Sequence, residues 1–585
     1  MSYVLRCQLV VALVGMVGSG LGCAKVNPGA DGSGGGGGGA RAGTGGSVVR
    51  RDGGVGIGGS GMRPDADDGN DSLPPITDFP PTPIIGTPAT PPNAPALFAG
   101  TPRNGSAPCV LSPQEGTLMP KNWLRPRFEW RTMGGDNLTE IKIAVAKFPT
   151  PLLIYTSDSS YKLDKDLWDG LRRSVNDEPI TVNIRSMTVT STGTAQQGPS
   201  APTQVTFTIA PVNAPGKIVY WSLTGDGSLG MGALKGFGIG EEGVRDVLAP
   251  AQVVNRTADD GCIGCHSATP GGDGVQFVFG PPAPKINLDT YFNNIADIQV
   301  NTEGTLPGYV TPEALALIQN LRGIPAFSIS HWSDQERIVL LTDKLNHGDL
   351  LWVKLNGLAP EPLSGTIART GDARGAVEPS FSHDGRTVVY VSTPQTSIHD
   401  GRLENSPADL WVVPYADRAG GAATALAGAA DSEFTEYYPA FSPNDDLVAF
   451  TRIPSPSQPA PPPVQRTYAH SQSELFVVRL SGGPASRLAA NDPPACLFRS
   501  SPGITNDWSK WAPSATTVDG KTYNWLVFSS TRNGRAQLFI TAVVTQGAAA
   551  LQTYPALYLW NQPAAEGNHT PSWDSYNIPP VVIIP

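Results

Sequence analysis

The sequence repeats one pattern, first as Pro379-Ser-Phe-Ser-His-Asp-Gly-Arg-Thr-Val-Val-Tyr390 and again as Pro439-Ala-Phe-Ser-Pro-Asn-Asp-Asp-Leu-Val-Ala-Phe450. In both copies Asp-Gly or Asn-Asp supplies a tight turn, and an alternating apolar strand follows it. More degenerate copies are Ile329-Ser-His-Trp-Ser-Asp-Gln-Glu-Arg-Ile-Val-Leu340 and Pro571-Ser-Trp-Asp574. An internal repeat outweighs the interpretation of any single strand.

A second pattern, Leu followed by a large aromatic residue, accompanies the turns. It occurs as Asp349-Leu-Leu-Trp-Val353, Ala408-Asp-Leu-Trp-Val412, Ser473-Glu-Leu-Phe-Val477 and Ala536-Gln-Leu-Phe-Ile540. Its aromatic residues recur about every 60 positions, against ~40–45 for a minimal propeller blade, because loops such as 454–466 are dense in proline. The two patterns predict an all-β chain whose residues 251–585 form a β-propeller of about six blades.

These repeats resemble the TolB-like family of propeller repeats over roughly residues 320–575. The resemblance implies a propeller, and propellers bind partners through the loops around their central channel. A protein-binding scaffold is therefore one function that we expect of the chain.

A different motif points to a cofactor. Cys262-Ile263-Gly264-Cys265-His266 is a C-x-x-C-H sequence, the attachment signature of c-type haem. The two thiols form thioether bonds to the haem, and the adjacent imidazole ligates the iron. The motif predicts covalent haem c bound by Cys262 and Cys265, with His266 as the iron ligand and one-electron transfer to a redox partner as the function.

The pentad sits where the first blade would begin, because Asp273-Gly274 repeats the turn of Asp384-Gly385. The arrangement resembles a group of bacterial exported proteins that join an immunoglobulin-like module, one C-x-x-C-H and TolB-like repeats. That resemblance implies a haem at the junction between the two modules.

The cysteine pair has three other interpretations: a structural zinc site, a thioredoxin-like redox pair and a local disulfide. The second axial ligand of a haem is also open, because all seven Met precede Cys262. Candidates for it are Met231, His331, His347, His383, His399, His470 and His569. A haem with an open position would instead allow a peroxidase-like activity, so the sequence leaves open whether the protein is an enzyme. The motifs of common hydrolases and of phosphate-binding loops do not occur.

The N-terminus reads as an export signal. Residues 1–22 combine one positive charge, a short apolar run and small residues before Cys23. This ending resembles a bacterial lipoprotein signal, in which Cys23 is acylated; an ordinary cleaved signal peptide is the alternative. We therefore expect a lipid anchor in a membrane, with the protein in the periplasm or at the cell surface, on the outer membrane.

Two further segments precede the propeller. Residues 23–104 are rich in Gly and Pro, which predicts a disordered tether. Residues 105–250 contain six short alternating strands, which predict an immunoglobulin- or fibronectin-like β-sandwich. Helices are expected only at 164–174 and 312–321.

Charge excludes one class of partner. The net charge is −10, and the chain has no block of Lys and Arg that would follow a phosphate backbone, so nucleic acid is not expected as a partner. The other four cysteines lie within residues 1–23 or in the C-x-x-C-H motif, so only Cys109 and Cys496 have no expected role. In an oxidising compartment the two either pair as a disulfide or stay free.

Overall fold

The computed structural model describes most of the chain. It covers residues 74–578 except 105–106, 133, 224–231, 253–261, 273, 281–294, 299–307, 321, 344–347, 395–397, 400–401, 404–406, 456–469 and 548–549. The described part is all-β, as the sequence predicts, with short helices α1 (Ala94–Phe98), α2 (Lys165–Ser174) and α3 (Pro312–Asn320). The last two lie where the sequence predicted helices. The expected export signal at residues 1–22 and Cys23 lie outside the described residues.

The first unit is a sandwich of two sheets. The larger has the order β1 (Ile84–Ile85), β6 (Leu152–Thr156), β5 (Leu138–Val145), β8 (Ile180–Met187), β9 (Thr203–Ile209) and β3 (Thr117–Met119). The smaller has the order β2 (Cys109–Ser112), β4 (Arg127–Arg131) and β7 (Ser160–Lys162). Alternating apolar residues fill the space between them, among them Phe128 and Trp130 of β4 and Ile141, Ile184 and Phe207 of the larger sheet.

Part of the expected tether is ordered on this sandwich. Residues 84–85 form β1, which pairs in parallel with β6. Phe79 and Phe98 are buried, and Arg103 makes an ion pair with the fully buried side chain of Asp136. The Pro-rich composition predicted disorder because it contains few apolar residues. The few that are present are buried, and they hold the segment from residue 74 onward against the sandwich.

After the sandwich the chain forms a series of antiparallel sheets. The first group of strands is β13 (Cys262–Ala268), β14 (Val275–Gly280) and β15 (Ile295–Ile298), and the second is β16 (Arg322–Trp332), β17 (Arg337–Asp343), β18 (Asp349–Lys354) and β19 (Ser364–Thr366). The third is β21 (Gly375–Phe381), β22 (Thr387–Thr393), β25 (Asp409–Pro414) and β27 (Thr424–Ala425), and the fourth is β28 (Phe434–Phe441), β29 (Leu447–Pro454), β30 (Glu474–Arg479) and β31 (Ser486–Arg487). The fifth is β32 (Asn506–Trp511), β34 (Lys521–Ser530), β35 (Gln537–Gln546) and β36 (Ala550–Thr553).

Short strands complete these sheets. They are β33 (Thr516–Val518) beside β34, β37 (Leu557–Tyr558) beside β35, β20 (Ala368–Thr370) beside β26 (Gly420–Ala422), and the hairpin of β23 (Ile398–His399) with β24 (Arg402–Leu403). The two repeat patterns of the sequence mark the turn between the first and second strands and the third strand of a sheet.

The last strand closes the series on an earlier one. β38 (Gly567–Asp574) pairs antiparallel with β10 (Lys217–Leu223), which continues into β11 (Gly232–Gly238) and β12 (Arg245–Leu248). The sequence pattern placed Lys217–Leu223 with the sandwich because its alternation is the same. Its hydrogen-bond partner instead lies about 350 residues further along the chain, which no local pattern reveals.

The first strands of the sheets form a ring. β13, β16, β21, β28, β32 and β38 each contact the next, and β38 also contacts β13. A closed ring of sheets, each contributing its innermost strand to the centre, is the architecture of a β-propeller.

The sandwich and the propeller share one apolar core. Trp525 and Val527 of β34 and Ile540 of β35 belong to the same buried cluster as the interior of the sandwich. Trp560 donates its indole N–H to the carbonyl oxygen of Arg125 across this contact, at 3.0 Å. Within the described residues, no helix is both long and apolar enough to cross a membrane.

Candidate functional site

The inner strands carry an irregularity at one shared position. The pairing register shifts between Val377 and Ser380 in β21, between Tyr437 and Ala440 in β28, and between Asp507 and Lys510 in β32. Each shift is a β-bulge, which leaves two residues unpaired and re-aims their side chains. The bulges lie where the inner strands meet at the centre of the ring.

A fourth bulge lies in β38, where the register shifts between His569 and Ser572. The first residue of each of these four bulges has a left-handed backbone, with φ angles of +51° at Glu378, +53° at Tyr438, +55° at Trp508 and +46° at Thr570. None of these is glycine, so each conformation costs on the order of 1–3 kcal/mol. Such strained residues cluster at binding and catalytic sites more often than elsewhere. The centre of the ring is therefore the candidate functional site.

Three of the bulges line one cavity. It has a volume of about 240 Å³, including space open to solvent, and is bounded by Glu378, Pro379, Tyr438, Pro439, Trp508 and Lys510. Glu378 accepts a hydrogen bond from the backbone N–H of Tyr438 at 2.9 Å, so it bridges two neighbouring inner strands. Its other oxygen, Oε1, has no hydrogen-bond partner in the described part of the chain.

The charged groups of this cavity have displaced pKa values. Burial raises the pKa of Glu378 to about 8, an effect that its hydrogen bond from Tyr438 and the charge of Lys510 only partly oppose. Burial lowers the pKa of Lys510 to about 8, against the opposing charge of Glu378. No sequence motif contains Glu378 or Lys510 as a functional residue. The only signal for Glu378 and Tyr438 is that each precedes the proline of the repeat.

The C-x-x-C-H pentad occupies the same position in β13. Cys262, Ile263 and Gly264 pair with β14, and the register then shifts before Ser267. Cys265 and His266 are therefore the bulge residues of this strand, at the position that Glu378 and Pro379 occupy in β21. The side chains of Cys262 and Cys265 lie outside the described residues, so the structure places these two residues by their backbone only.

One ring nitrogen of His266 is engaged in a hydrogen bond. Its imidazole is buried, and Nε2 donates to the carbonyl oxygen of Val219 at 3.2 Å. Nδ1 has no hydrogen-bond partner among the described residues. Burial lowers the pKa of His266 to about 4, so the ring is neutral at pH 7. A neutral imidazole whose N–H is held by a backbone carbonyl fits the chemistry of an iron ligand.

One candidate second ligand is a neighbour of this imidazole. His569, in the adjacent inner strand β38, is buried, and its ring lies 4.4 Å from that of Trp221. Burial, together with the nearby His266, lowers the pKa of His569 to about 3. The structure thus brings His266 and His569 together at the centre of the ring.

The other candidate ligands have structural roles or lie outside the description. His331 contacts Glu336 through Nδ1 at 3.1 Å and donates to the Gly385 carbonyl oxygen, which ties two neighbouring turns together. His383 is bound to Asp445 in the next turn at 2.9 Å. His470 accepts the backbone N–H of Gln472. Met231, His347 and the side chain of His399 lie outside the described residues. In the described part of the chain, no three His, Cys, Asp or Glu side chains cluster as a metal site.

Comparison with known proteins gave only remote likenesses. No protein family model and no curated protein matches the chain. Among solved structures, a putative TolB from Agrobacterium tumefaciens is similar at 12% identity and a TM-score of 0.31, covering 60% of this chain and 97% of that one. Hydrazine synthase of Kuenenia stuttgartiensis is similar at 10% identity and 0.22, covering 45% and 75%. An endo-arabinase of Bacteroides thetaiotaomicron is similar at 14% identity and 0.23, covering 43% and 84%. Because these scores are low, the fold described above rests on the strand pairing of this chain.

Proposed function

We propose that this protein is a TolB-like propeller of six blades that serves as a binding scaffold through the central face of its ring. In this proposal the blades run from residue 217 to residue 574, and the strand β38 closes the ring by pairing with β10. The preceding sandwich, of immunoglobulin type, fixes the orientation of the propeller.

One observation carries the proposal: each of four bulges of the inner strands holds a buried polar atom without a partner in the described part of the chain. Within the described residues these include Glu378 Oε1, Trp508 Nε1, Thr570 Oγ1 and His266 Nδ1. Folded proteins satisfy nearly all of their buried polar atoms, and each exception requires an explanation. Four exceptions at one place, three of them on strained backbone, are the pattern of a surface built to bind.

Affinity capture tests this proposal. The full chain, immobilised and incubated with cell-envelope extract from its source, should retain a partner that Trp508→Ala loses. Phe498→Ala is the matched control, because the side chain of Phe498 is 85% exposed and lies outside every bulge. Circular dichroism verifies that both variants are folded. Equal recovery by the wild type, Trp508→Ala and Phe498→Ala would contradict a role for the central face.

A second candidate function is haem binding, which the C-x-x-C-H pentad in the bulge of β13 favours. In this candidate Cys262 and Cys265 would hold haem c through thioethers, and His266 would ligate the iron. When bound, such a group supplies one-electron transfer or, with an open axial position, the binding of a small ligand. The carbonyl of Val219 orients the imidazole of His266, and burial of the ring keeps it unprotonated and shielded from water.

The spectrum of the protein distinguishes the two candidates. Chain produced together with a cytochrome-maturation system should show a sharp α-band on reduction if haem c is attached, and Cys262→Ala should abolish it. Wild type without that band would exclude the haem candidate and leave the scaffold. Conversely, a captured partner that is retained by Cys262→Ser/Cys265→Ser shows that the scaffold works without haem.

The location of the protein is part of the proposal. The signal at residues 1–22 and acylation of Cys23 would place it in the periplasm or at the cell surface, anchored in the outer membrane. Its redox or protein partner would then be another envelope component. Acyl chains and haem each add a distinct mass to the protein, so one intact-mass spectrum of native material tests both modifications.

A further inference from the structure

The end of β16 is attached to the neighbouring sheet of the ring by side-chain hydrogen bonds. The hydroxyl of Ser330 donates to the carbonyl oxygen of His383, at 2.8 Å, in the turn between β21 and β22. The next residue, His331, places Nε2 3.0 Å from the carbonyl oxygen of Gly385 in the same turn. His331 therefore links the sheet that begins with β16 to the sheet that begins with β21.

The second ring nitrogen of His331 faces a carboxylate. Its Nδ1 lies 3.1 Å from Oε2 of Glu336, in the turn before β17. Burial acts to raise the pKa of Glu336, but hydrogen bonds from His331 and Arg418 hold this pKa below its ordinary value, so the group is ionised at pH 7. An ionised carboxylate and a peptide carbonyl only accept hydrogen bonds. His331 can therefore make both contacts only as the imidazolium, with a proton on each nitrogen.

The rings around His331 suit a positive charge. The imidazole is stacked on Phe381, with centroids 5.3 Å apart and planes 16° apart, and it lies 4.6 Å from the ring of Tyr415. Aromatic faces attract cations. The side chain of His331 is 18% exposed, so its contact with Glu336 is partly shielded from solvent.

Arg418 holds Glu336 from the other side. Its guanidinium binds Oε1 of Glu336 and lies 4.8 Å from the centroid of the Trp352 ring. The turn that carries it has three successive left-handed residues other than glycine, with φ of +46° at Ala416, +51° at Asp417 and +77° at Arg418. Such backbone persists only where its surroundings hold it in place. The other charged groups of the packed turns pair with one another, Asp334 with Arg337 and Asp384 with Arg386.

We propose that His331 is a pH-sensitive link between these two sheets, which bridges Glu336 and the Gly385 carbonyl only while its ring carries two protons. After the loss of one proton the ring can keep one of the two contacts. Histidines of an unfolded chain release this proton near pH 6.5. Because the folded link retains it, the stability that the link contributes is present below that pH and is lost as the pH rises above it.

His383 provides a matched comparison within the same turns. Its Nδ1 lies 2.9 Å from Oδ1 of Asp445, and its side chain is 40% exposed. A neutral imidazole with its single proton on Nδ1 satisfies this one contact. The arrangement around His383 therefore does not require a second proton, whereas the arrangement around His331 does.

NMR of the full chain, labelled with ¹⁵N only in its histidines, tests the inference. The ring nitrogen shifts distinguish the imidazolium from the neutral ring, and the spectrum of His331→Gln identifies the signals of His331. Over a titration from pH 5.5 to pH 8.5, the transition of His331 should occur about one pH unit or more above that of His383. This difference corresponds to a tenfold stronger retention of the proton. Transitions of both rings at the same pH would overturn the inference.

Two variants separate the carboxylate from the neighbouring cation. Glu336→Gln supplies an amide N–H to Nδ1, so a neutral His331 keeps both contacts and its transition should move down to that of His383. Arg418→Met retains the carboxylate, so the transition of His331 should stay above that of His383. A transition that Glu336→Gln leaves in place would overturn the inference.

Hydrogen exchange of the wild type shows whether the link responds to pH. The protection factors of peptides that cover residues 382–386 should fall at least tenfold between pH 6.5 and pH 8.5, and Glu336→Gln should show no such fall. Equal protection of the wild type at both pH values would contradict the link. None of these measurements requires a bound partner, so their outcome is independent of the proposed scaffold.

Discussion

Cys109 and Cys496 form a disulfide that joins β2 of the sandwich to the turn before β32 of the propeller, with Cα atoms 6.0 Å apart. The bond links positions 387 residues apart in sequence. It reinforces the apolar core that the sandwich shares with β34 and β35. The sequence left this pairing open, because the two cysteines were only the remainder after the other roles were assigned.

We expect that Cys109→Ala/Cys496→Ala lowers the free energy of unfolding. Closing so long a loop restricts the unfolded chain, and removal of a disulfide costs up to about 5 kcal/mol. Chemical denaturation under oxidising conditions measures the loss. Wild type treated with a reductant should match the double variant, and an unchanged midpoint in both would contradict the structural role of the bond.

Asp136→Asn should release the segment that precedes the sandwich. The buried carboxylate of Asp136 accepts hydrogen bonds from Arg103, Ser186 and Thr188, and these hydrogen bonds hold its pKa below the usual value. Leaving Arg103 without its partner should cost about 3 kcal/mol. Limited proteolysis should then cleave within residues 74–104 faster than in wild type. Exposed Asp334→Asn, which affects another ion pair, serves as the control.

Stability should fall as the pH is lowered below 6.5. His266 and His569 have folded pKa values of about 4 and about 3, below the 6.5 of the unfolded chain. In acid the unfolded state therefore binds protons that the folded state does not, and each histidine contributes a loss of about 1.4 kcal/mol per pH unit in that range. The neighbouring Lys510 adds to the effect on His266. Thermal unfolding of the wild type and of His569→Phe from pH 7.5 to pH 4.5 measures this. The variant should show a shallower decline, and parallel curves would rule out the assignment.

Replacing a strained residue of a bulge by glycine should stabilise the protein. Thr570 has φ +46° and a buried hydroxyl without a partner in the described chain, so Thr570→Gly should raise the free energy of unfolding by about 1 kcal/mol. Thr451 is equally buried with an unpartnered hydroxyl, but it lies in the regular strand β29. Thr451→Gly should therefore destabilise by about 1 kcal/mol. Denaturant titration compares them, and a loss of the same size in both would refute the strain at the bulge.

The local strands could be predicted because their signals are local. Alternation and turn residues located the strands of the sandwich and the repeat units, and Asp164, the residue whose carboxylate accepts the N–H of Asp166, marked the start of α2. Closure of the ring could not be predicted, since the pairing of Val219 with Ser572 is a contact between distant segments. Strands of a sandwich and strands of a propeller blade show the same alternation of apolar and polar residues, so the alternation does not distinguish them.

Of the residues at the centre of the ring, the sequence singled out His266, through the pentad, and His569 as one of several candidate ligands. The structure places the two side by side. The sequence could not reveal Glu378 and Lys510, because an isolated Glu or Lys in a strand has no distinctive pattern. Only the folded chain brings both residues to one cavity. The binding of haem by Cys262 and Cys265 stays a prediction.

Hydrogen exchange of the full chain, with and without its captured partner, shows where the partner binds. We expect slower exchange on binding in peptides that cover the bulges of β21, β28 and β32, and no change in the outer strands β31 and β36. Protection confined to the sandwich or to the outer strands would contradict a binding role for the centre of the ring.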